Sequence, residues 1–293
     1  MLAIIGGSGV YDLFQINGAE ITKTEERIIE TPYGMPSAPI VMGRYGGDMP
    51  VAFLARHGKN HDFLPHEVNY RANIWALKEL GVTQVIGISA VGSLRHDLAP
   101  GDLCLADQYF DFVKGAREKS FFGGGLVAHV STAEPTCPSL SKGLSEAAGG
   151  LDMPLHTGAT YGCVDGPRLG TRAESFFLQN AAGCDLVGMT NVPEAFLARE
   201  AQICYCTICV VTDYDCWLDD PAQHVSVEQV ISRYGASLEK AKGLLVKYLS
   251  ERQVHGASAS PECGCRRSLD SAILSREENL SDDKKALLDL LRK

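Results

Sequence analysis

Apolar positions along the chain follow two periods. Residues 2–5, 51–54, 84–92, 103–110, 156–164, 186–189 and 203–212 are short apolar runs, several rich in β-branched residues. That is the composition of strands buried on both faces. Residues 28–34 and 40–54 add strands and hairpins punctuated by Pro and Gly. Helical spacing appears at 65–80, with Pro65 near the first turn and Gly81 as the stop, at 172–182, and at 190–201 with Pro193 in the first turn. A longer helix is predicted behind the capping-box pattern Ser226-Val-Glu-Gln229. There Val227, Val230, Ile231, Tyr234, Leu238, Ala241, Leu245 and Leu249 keep the period. Residues 251–280 are rich in Ser, Gly, Glu and Arg and read as loosely structured, and a last short helix runs from Ser281 through Arg292. Strands and helices alternate without a linker, which predicts one α/β domain over 1–250. The remaining residues, 251–293, form a tail that packs on the same domain or on a neighbouring subunit.

Composition narrows the function. A chain of 293 residues buries a sizeable core. Its net charge of −9 argues against a nucleic-acid surface, so any anion is bound by a local site against the global field. No apolar run reaches the roughly 18 residues of a membrane span. The start, Met1-Leu-Ala-Ile-Ile-Gly-Gly, lacks the basic region of a signal peptide, so a cytoplasmic protein is expected. Six of the ten cysteines (Cys104, Cys163, Cys184, Cys204, Cys206 and Cys209) sit in apolar runs and read as small buried hydrophobes. Cys263-Gly-Cys265 is spaced more tightly than a zinc knuckle, and no second pair follows it, so no metal site is expected. Free thiols are the default, with a disulfide-like clip as the alternative.

Candidate chemistry collects at strand ends. The run to Thr212 is followed by Asp213 and Asp215, where the crevice of an open α/β sheet lies. Taken alone, such a pair reads more readily as a turn or a helix start. Gly6-Gly-Ser-Gly9 is not a dinucleotide fingerprint, yet its turn can offer backbone N–H groups and the Ser8 hydroxyl to an anion. Arg56 ends the apolar strand 51–54, and a guanidinium binds phosphate bidentately. His57, His61 and His66 are separated by Gly58 and Pro65, which keep them off one helix face, so a metal is discounted. Gly87-Ile-Ser89-Ala-Val91 misses the nucleophile elbow by its last residue and leaves a serine hydrolase as a minor reading.

Several stretches together resemble the nucleoside phosphorylases, in order, from about residue 2 to residue 250. They are Gly6-Gly-Ser-Gly9, Ala55-Arg-His-Gly58, Val68-Asn-Tyr-Arg-Ala-Asn-Ile-Trp-Ala-Leu77, Ala90-Val-Gly-Ser93, Gly166-Pro-Arg168 with Arg172-Ala-Glu-Ser-Phe176, Gly188-Met-Thr190 with Pro193-Glu194, and Thr212-Asp-Tyr-Asp-Cys-Trp217. The resemblance implies a single three-layer α/β/α domain around a mixed, partly barrel-like sheet, assembled as trimers or dimers of trimers. It also implies phosphorolysis of a purine nucleoside with inorganic phosphate as co-substrate, and neither a metal nor an organic cofactor. Carried over residue by residue, Ser8, Arg56, His57, Thr190 and the backbone near Ala90 hold phosphate. Met189 packs under the ribose, Asp213 meets purine N7 as the catalytic acid, and Asp215 takes the 6-amino group. Burial raises a carboxyl pKa, and so allows such an acid to act at neutral pH.

Relatives acting on 6-oxopurines place Asn at the position of Asp213 and Glu at that of Gly170, so the resemblance favours adenine. Val227 stands where relatives that bind a 5′-hydroxyl use His; with Ile231 it makes an apolar pocket that suits a methylthio group and is worth about 1–3 kcal/mol of discrimination. His224 lies three residues before Val227 and is the alternative neighbour of the sugar. His129 matches a His that closes the neighbouring subunit's pocket. Leu169 replaces a Phe often found over the base. The Cys263-x-Cys265 tail occurs in some disulfide-containing relatives, so the two pair, or bridge to Cys204 or Cys206. A phosphorylase acting on 6-oxopurine nucleosides or methylthioinosine is the runner-up, and a non-catalytic purine-binding protein the third reading.

Overall fold

A computed structural model describes residues 1–7, 21–115, 117–218, 227–255 and 263–293. Its described strands are β1 (Leu2–Gly6), β2 (Ile21–Arg27), β3 (Ile40–Tyr45), β4 (Met49–Ala55), β5 (Gln84–Ser93), β6 (Leu103–Asp111), β7 (Leu155–Cys163), β8 (Leu186–Gly188) and β9 (Cys204–Asp213). Its helices are α1 (Tyr70–Glu79), α2 (Pro138–Gly149), α3 (Arg172–Phe176), α4 (Asn191–Glu200), α5 (Val227–His255) and α6 (Asp282–Arg292).

The runs that are apolar on both faces become the central parallel strands. β4, β1, β5 and β9 lie parallel in that order. β9 also pairs antiparallel with β6, and β5 pairs antiparallel with β8. Strands β5, β8, β7, β6 and β9 therefore close into a ring, while β1, β4, β3 and β2 extend from β5 as an open wing. The sheet is mixed and partly barrel-like, as expected.

Alternation along β1 sorts the layers. Leu2 and Ile4 face a cluster with Leu140 and Leu144 of α2 and Leu238, Leu245 and Leu249 of α5. Ala3 and Ile5 face the other side, with Ile74 and Leu77 of α1, Leu197 of α4 and Leu287, Leu288 and Leu291 of α6. The tail thus contributes to the second layer of helices. No described helix is long and apolar enough to cross a membrane.

Three local expectations are corrected, and one helix was missed. Residues 28–34 are not a strand: the edge strand is β2, exposed along all but its first residue, and 28–34 holds only a Thr31–Gly34 bridge. A polar edge strand carries no hydrophobic period to read. α1 begins at Tyr70 and not near Pro65, because the Asn69 side chain caps it by accepting the Ala72 N–H at 3.1 Å. The helix expected over 172–182 is α-helical only to Phe176 and then passes into a π turn, Phe177–Ala181. α2 was not foreseen, although Pro138 at its first turn and Leu140, Leu144 and Ala147 on its buried face carry the signal.

Candidate active site

β5 is the spine of the candidate site. At Ile88 it meets Arg56, at Ser89 it meets Thr190, at Val91 it meets Thr212, and at Gly92 it meets Asp213 and Asp215. Four residue steps separate Ile88 from Gly92, about 13 Å of strand.

Arg56 directly follows β4, and its backbone N–H donates to the Gly6 carbonyl at 2.8 Å. The side chain is 1% exposed. Its Nε and Nη2 donate to the two carboxylate oxygens of Glu194 at 2.7 Å each, Nη1 to the Ile88 carbonyl at 2.9 Å, and Nη2 to the Ile5 carbonyl at 3.5 Å. Four of its five N–H donors are thereby engaged. Burial opposes the charge, but Glu194 more than offsets it and holds the guanidinium protonated. The Tyr205 hydroxyl supports Glu194 with a further bond at 2.8 Å. Gly87 leaves room for that network, since a Cβ there would stand 2.7 Å from the Tyr205 oxygen. Glu194 was quoted in the sequence motifs without a role. Its place as the partner of Arg56 depends on long-range packing of α4 beside β5 and β9.

His57 is also buried, stacks on His61, and has Nδ1 at 2.8 Å from the Phe63 carbonyl. Burial, then the Arg56 charge, push its pKa down to about 4. The ring is neutral at pH 7, donates from Nδ1, and presents Nε2 as an acceptor. Thr190 Oγ1 lies 3.4 Å from the Ser89 hydroxyl, which is 3.2 Å from the Tyr161 hydroxyl. Ser89 has hydroxyl neighbours where a hydrolase nucleophile needs a base, so the nucleophile-elbow reading has no support here. Ala90 is exposed in an otherwise largely buried strand.

Between the two ends stands Met189, half-buried, its carbonyl accepting from Arg117 Nη1 at 2.7 Å. Arg117 also donates to the Val192 and Asp165 carbonyls, at 2.8 and 2.7 Å. This buried arginine ties the 165–166 turn to the start of α4 and was missed, because no local pattern marks it. At Gly166 a Cβ would collide with the Met189 sulfur.

Asp213 closes β9 and is 3% exposed. Thr212 Oγ1 donates to its Oδ2 and the Asp215 backbone N–H to its Oδ1, both at 2.7 Å. Asp215 takes a φ of 52°, a left-handed conformation that Asp tolerates better than most residues. Burial raises the Asp215 pKa; the nearby Ser175 hydroxyl opposes this only in part, for that buried oxygen makes no hydrogen bond of full geometry. Asp215 itself is thus a carboxyl displaced toward the neutral form. Gly170 lies over it: a Cβ would sit 3.9 Å from Asp215 Oδ2. Leu169, next to Gly170, is 38% exposed.

Ser8 and His224 lie outside the described residues, as do the side chains of Val227 and Ile231. The backbone of α5 begins at Val227. His129 is exposed, and its backbone donates to Ala272 of the tail at 2.9 Å.

Residues 2–250 match the family model described as the phosphorylase superfamily. S-methyl-5′-thioadenosine phosphorylase of Thermococcus kodakarensis is 48% identical, covering 90% of this chain and 95% of that protein. Among solved structures, methylthioadenosine phosphorylase from an antarctic soil metagenomic library superposes with a TM-score of 0.89 at 41% identity, covering 99% of this chain and 98% of that one. Methylthioadenosine phosphorylase from Schistosoma mansoni in complex with adenine gives 0.83 at 35% identity, covering 93% and 98%.

Proposed function

The chain belongs to the phosphorylase superfamily, and we propose that it catalyses the phosphate-dependent cleavage of S-methyl-5′-thioadenosine to adenine and 5-methylthioribose 1-phosphate, a salvage reaction. One observation carries the reading. β5 presents a buried cation at Ile88 and a carboxylate pair at Gly92, with a hydroxyl cluster between them, over about 13 Å. That is the order phosphate, sugar and purine need along one line.

In the reaction a phosphate oxygen forms a bond to C1′ while the C1′–N9 bond breaks. The electron pair leaves with the purine, and N7 takes a proton. Asp213 is the acid that donates, or shares, a proton at N7. Burial displaces the neighbouring Asp215 carboxyl toward its neutral form. Asp215 also takes the 6-amino group. Gly170 leaves the base end clear of a side chain, which suits adenine.

Phosphate is held by Ser8, His57, Thr190 and the backbone at Ala90, with Arg56 supplying its remaining N–H and its field. Neutral His57 contributes as an acceptor for a phosphate hydroxyl. Met189 lies under the ribose, Leu169 borders the base, and Val227 and Ile231 surround the methylthio group. A neighbouring subunit's copy of His129 closes the pocket in a trimer or dimer of trimers, a state that light scattering on the purified protein tests. Phosphate is the co-substrate, and the reaction as proposed uses no other cofactor.

A panel of S-methyl-5′-thioadenosine, adenosine, inosine and methylthioinosine, each with and without phosphate, tests the assignment. Phosphate-dependent adenine release, fastest from the methylthio substrate, supports it. Faster hypoxanthine release from methylthioinosine favours the 6-oxopurine alternative, and base binding without turnover ends the enzymatic reading.

A further inference from the structure

A second constellation lies at the other end of β9. We propose that Cys137, Cys204, Cys263 and Cys265 form a structural zinc site that fastens the C-terminal tail to the body of the domain. Their Sγ atoms all lie within 4.8 Å of one another. Zinc bound tetrahedrally at about 2.3 Å from each sulfur sets neighbouring sulfurs about 3.8 Å apart. The Cys137 and Cys263 sulfurs are 3.7 Å apart. A disulfide would require about 2.05 Å, and all ten cysteines are unpaired.

The surroundings suit a bound thiolate cluster. Cys137, Cys204 and Cys265 are buried and Cys263 is half-buried, within or against the apolar cluster that packs α2 and α5 on the sheet. Cys137 is the residue before α2, so its sulfur stands at the positive end of a helix dipole. Its backbone N–H is held by the Tyr205 carbonyl at 2.7 Å, which fixes it beside Cys204. Arg199 Nη1 approaches the Cys265 sulfur at 3.1 Å. A zinc ion with four thiolates carries two net negative charges, and the helix terminus and Arg199 offset them. Binding needs no oxidant: four thiols release four protons as zinc enters.

The tight Cys-x-Cys spacing spoke against a knuckle because no second pair follows it in sequence. Folding supplies that pair, one cysteine from β9 and one from the start of α2. Four protein ligands leave no open position, which marks a structural site and not a catalytic one. Cys204 opens β9 and Asp213 ends it, so the site is about 30 Å along the strand from the carboxylate pair.

The test is the metal content of the full-length protein, expressed in zinc-supplemented medium and purified under reducing conditions without chelators. The expected result is one zinc per chain. Cobalt in its place gives the near-ultraviolet thiolate charge-transfer band and the intense visible bands of tetrahedral cobalt. Cys263→Ser and Cys265→Ser abolish stoichiometric metal, whereas Cys184→Ser, buried away from the cluster, retains it. Background metal in the wild type overturns the proposal. So does an intact mass, under native conditions, lower by the hydrogens of one or two disulfides.

Discussion

The two ends of the crevice are built on opposite principles. At the anion end Arg56 is closed on its own protein, bound through both arms to Glu194 and to carbonyls of β1 and β5. At the base end Asp215 is displaced toward its neutral form by burial, and the Ser175 hydroxyl beside it makes no hydrogen bond of full geometry. Buried charge paired in advance makes one end rigid and ready. A buried carboxyl with no cation against it among the described residues makes the other end responsive to the ligand that meets it. The proposed reaction uses both, a fixed field for the incoming anion and a buried carboxyl at the departing base.

The comparison breaks most visibly at Glu194. Glu194→Ala leaves the Arg56 charge buried and unpaired, and unfolding in urea should show a loss of about 3–5 kcal/mol. A loss under about 1 kcal/mol would mean that the anion end is not closed in the way its bonds suggest. At the other end Asp215→Asn should lower kcat for adenine release by about 10- to 100-fold, equivalent to about 1.4–2.8 kcal/mol in the barrier. The same variant has a stability signature. Because the folded-state pKa of Asp215 is raised, wild type loses stability as pH climbs from the ordinary carboxylate range through that raised value. Asp215→Asn should not, so denaturation curves at acid and neutral pH should converge for the variant and separate for wild type.

His57 gives the smallest effect, of opposite sign. Its folded pKa is depressed, so the stability it contributes is present above about pH 6.5 and is lost as pH falls toward about 4. His57→Gln should flatten that acid limb by on the order of 1 kcal/mol, read from melts across the same interval. An unchanged limb would place the proton uptake elsewhere.

Much of the frame was legible because two-faced apolar runs leave little choice but a parallel core, and β1, β4, β5 and β9 are such runs. Strand β2 was not, since an exposed edge strand needs no apolar period. The carboxylate pair could be read from its place after β9, and Arg56 from its place after β4. Their partners could not. Glu194, Arg117 and Ser175 acquire meaning only through contacts between distant segments, as do the cysteines that converge on Cys263 and Cys265. The displacement of Asp215 likewise depends on burial that no local spacing reports.

The proposed role of Asp213, stabilising the departing adenine at N7, stands or falls on one variant. Asp213→Asn should fold with a melting temperature near that of wild type, lose about 10²- to 10⁴-fold in kcat for adenine release from S-methyl-5′-thioadenosine, and gain on methylthioinosine relative to wild type. Wild-type rates of phosphate-dependent adenine release from the folded variant would contradict the account.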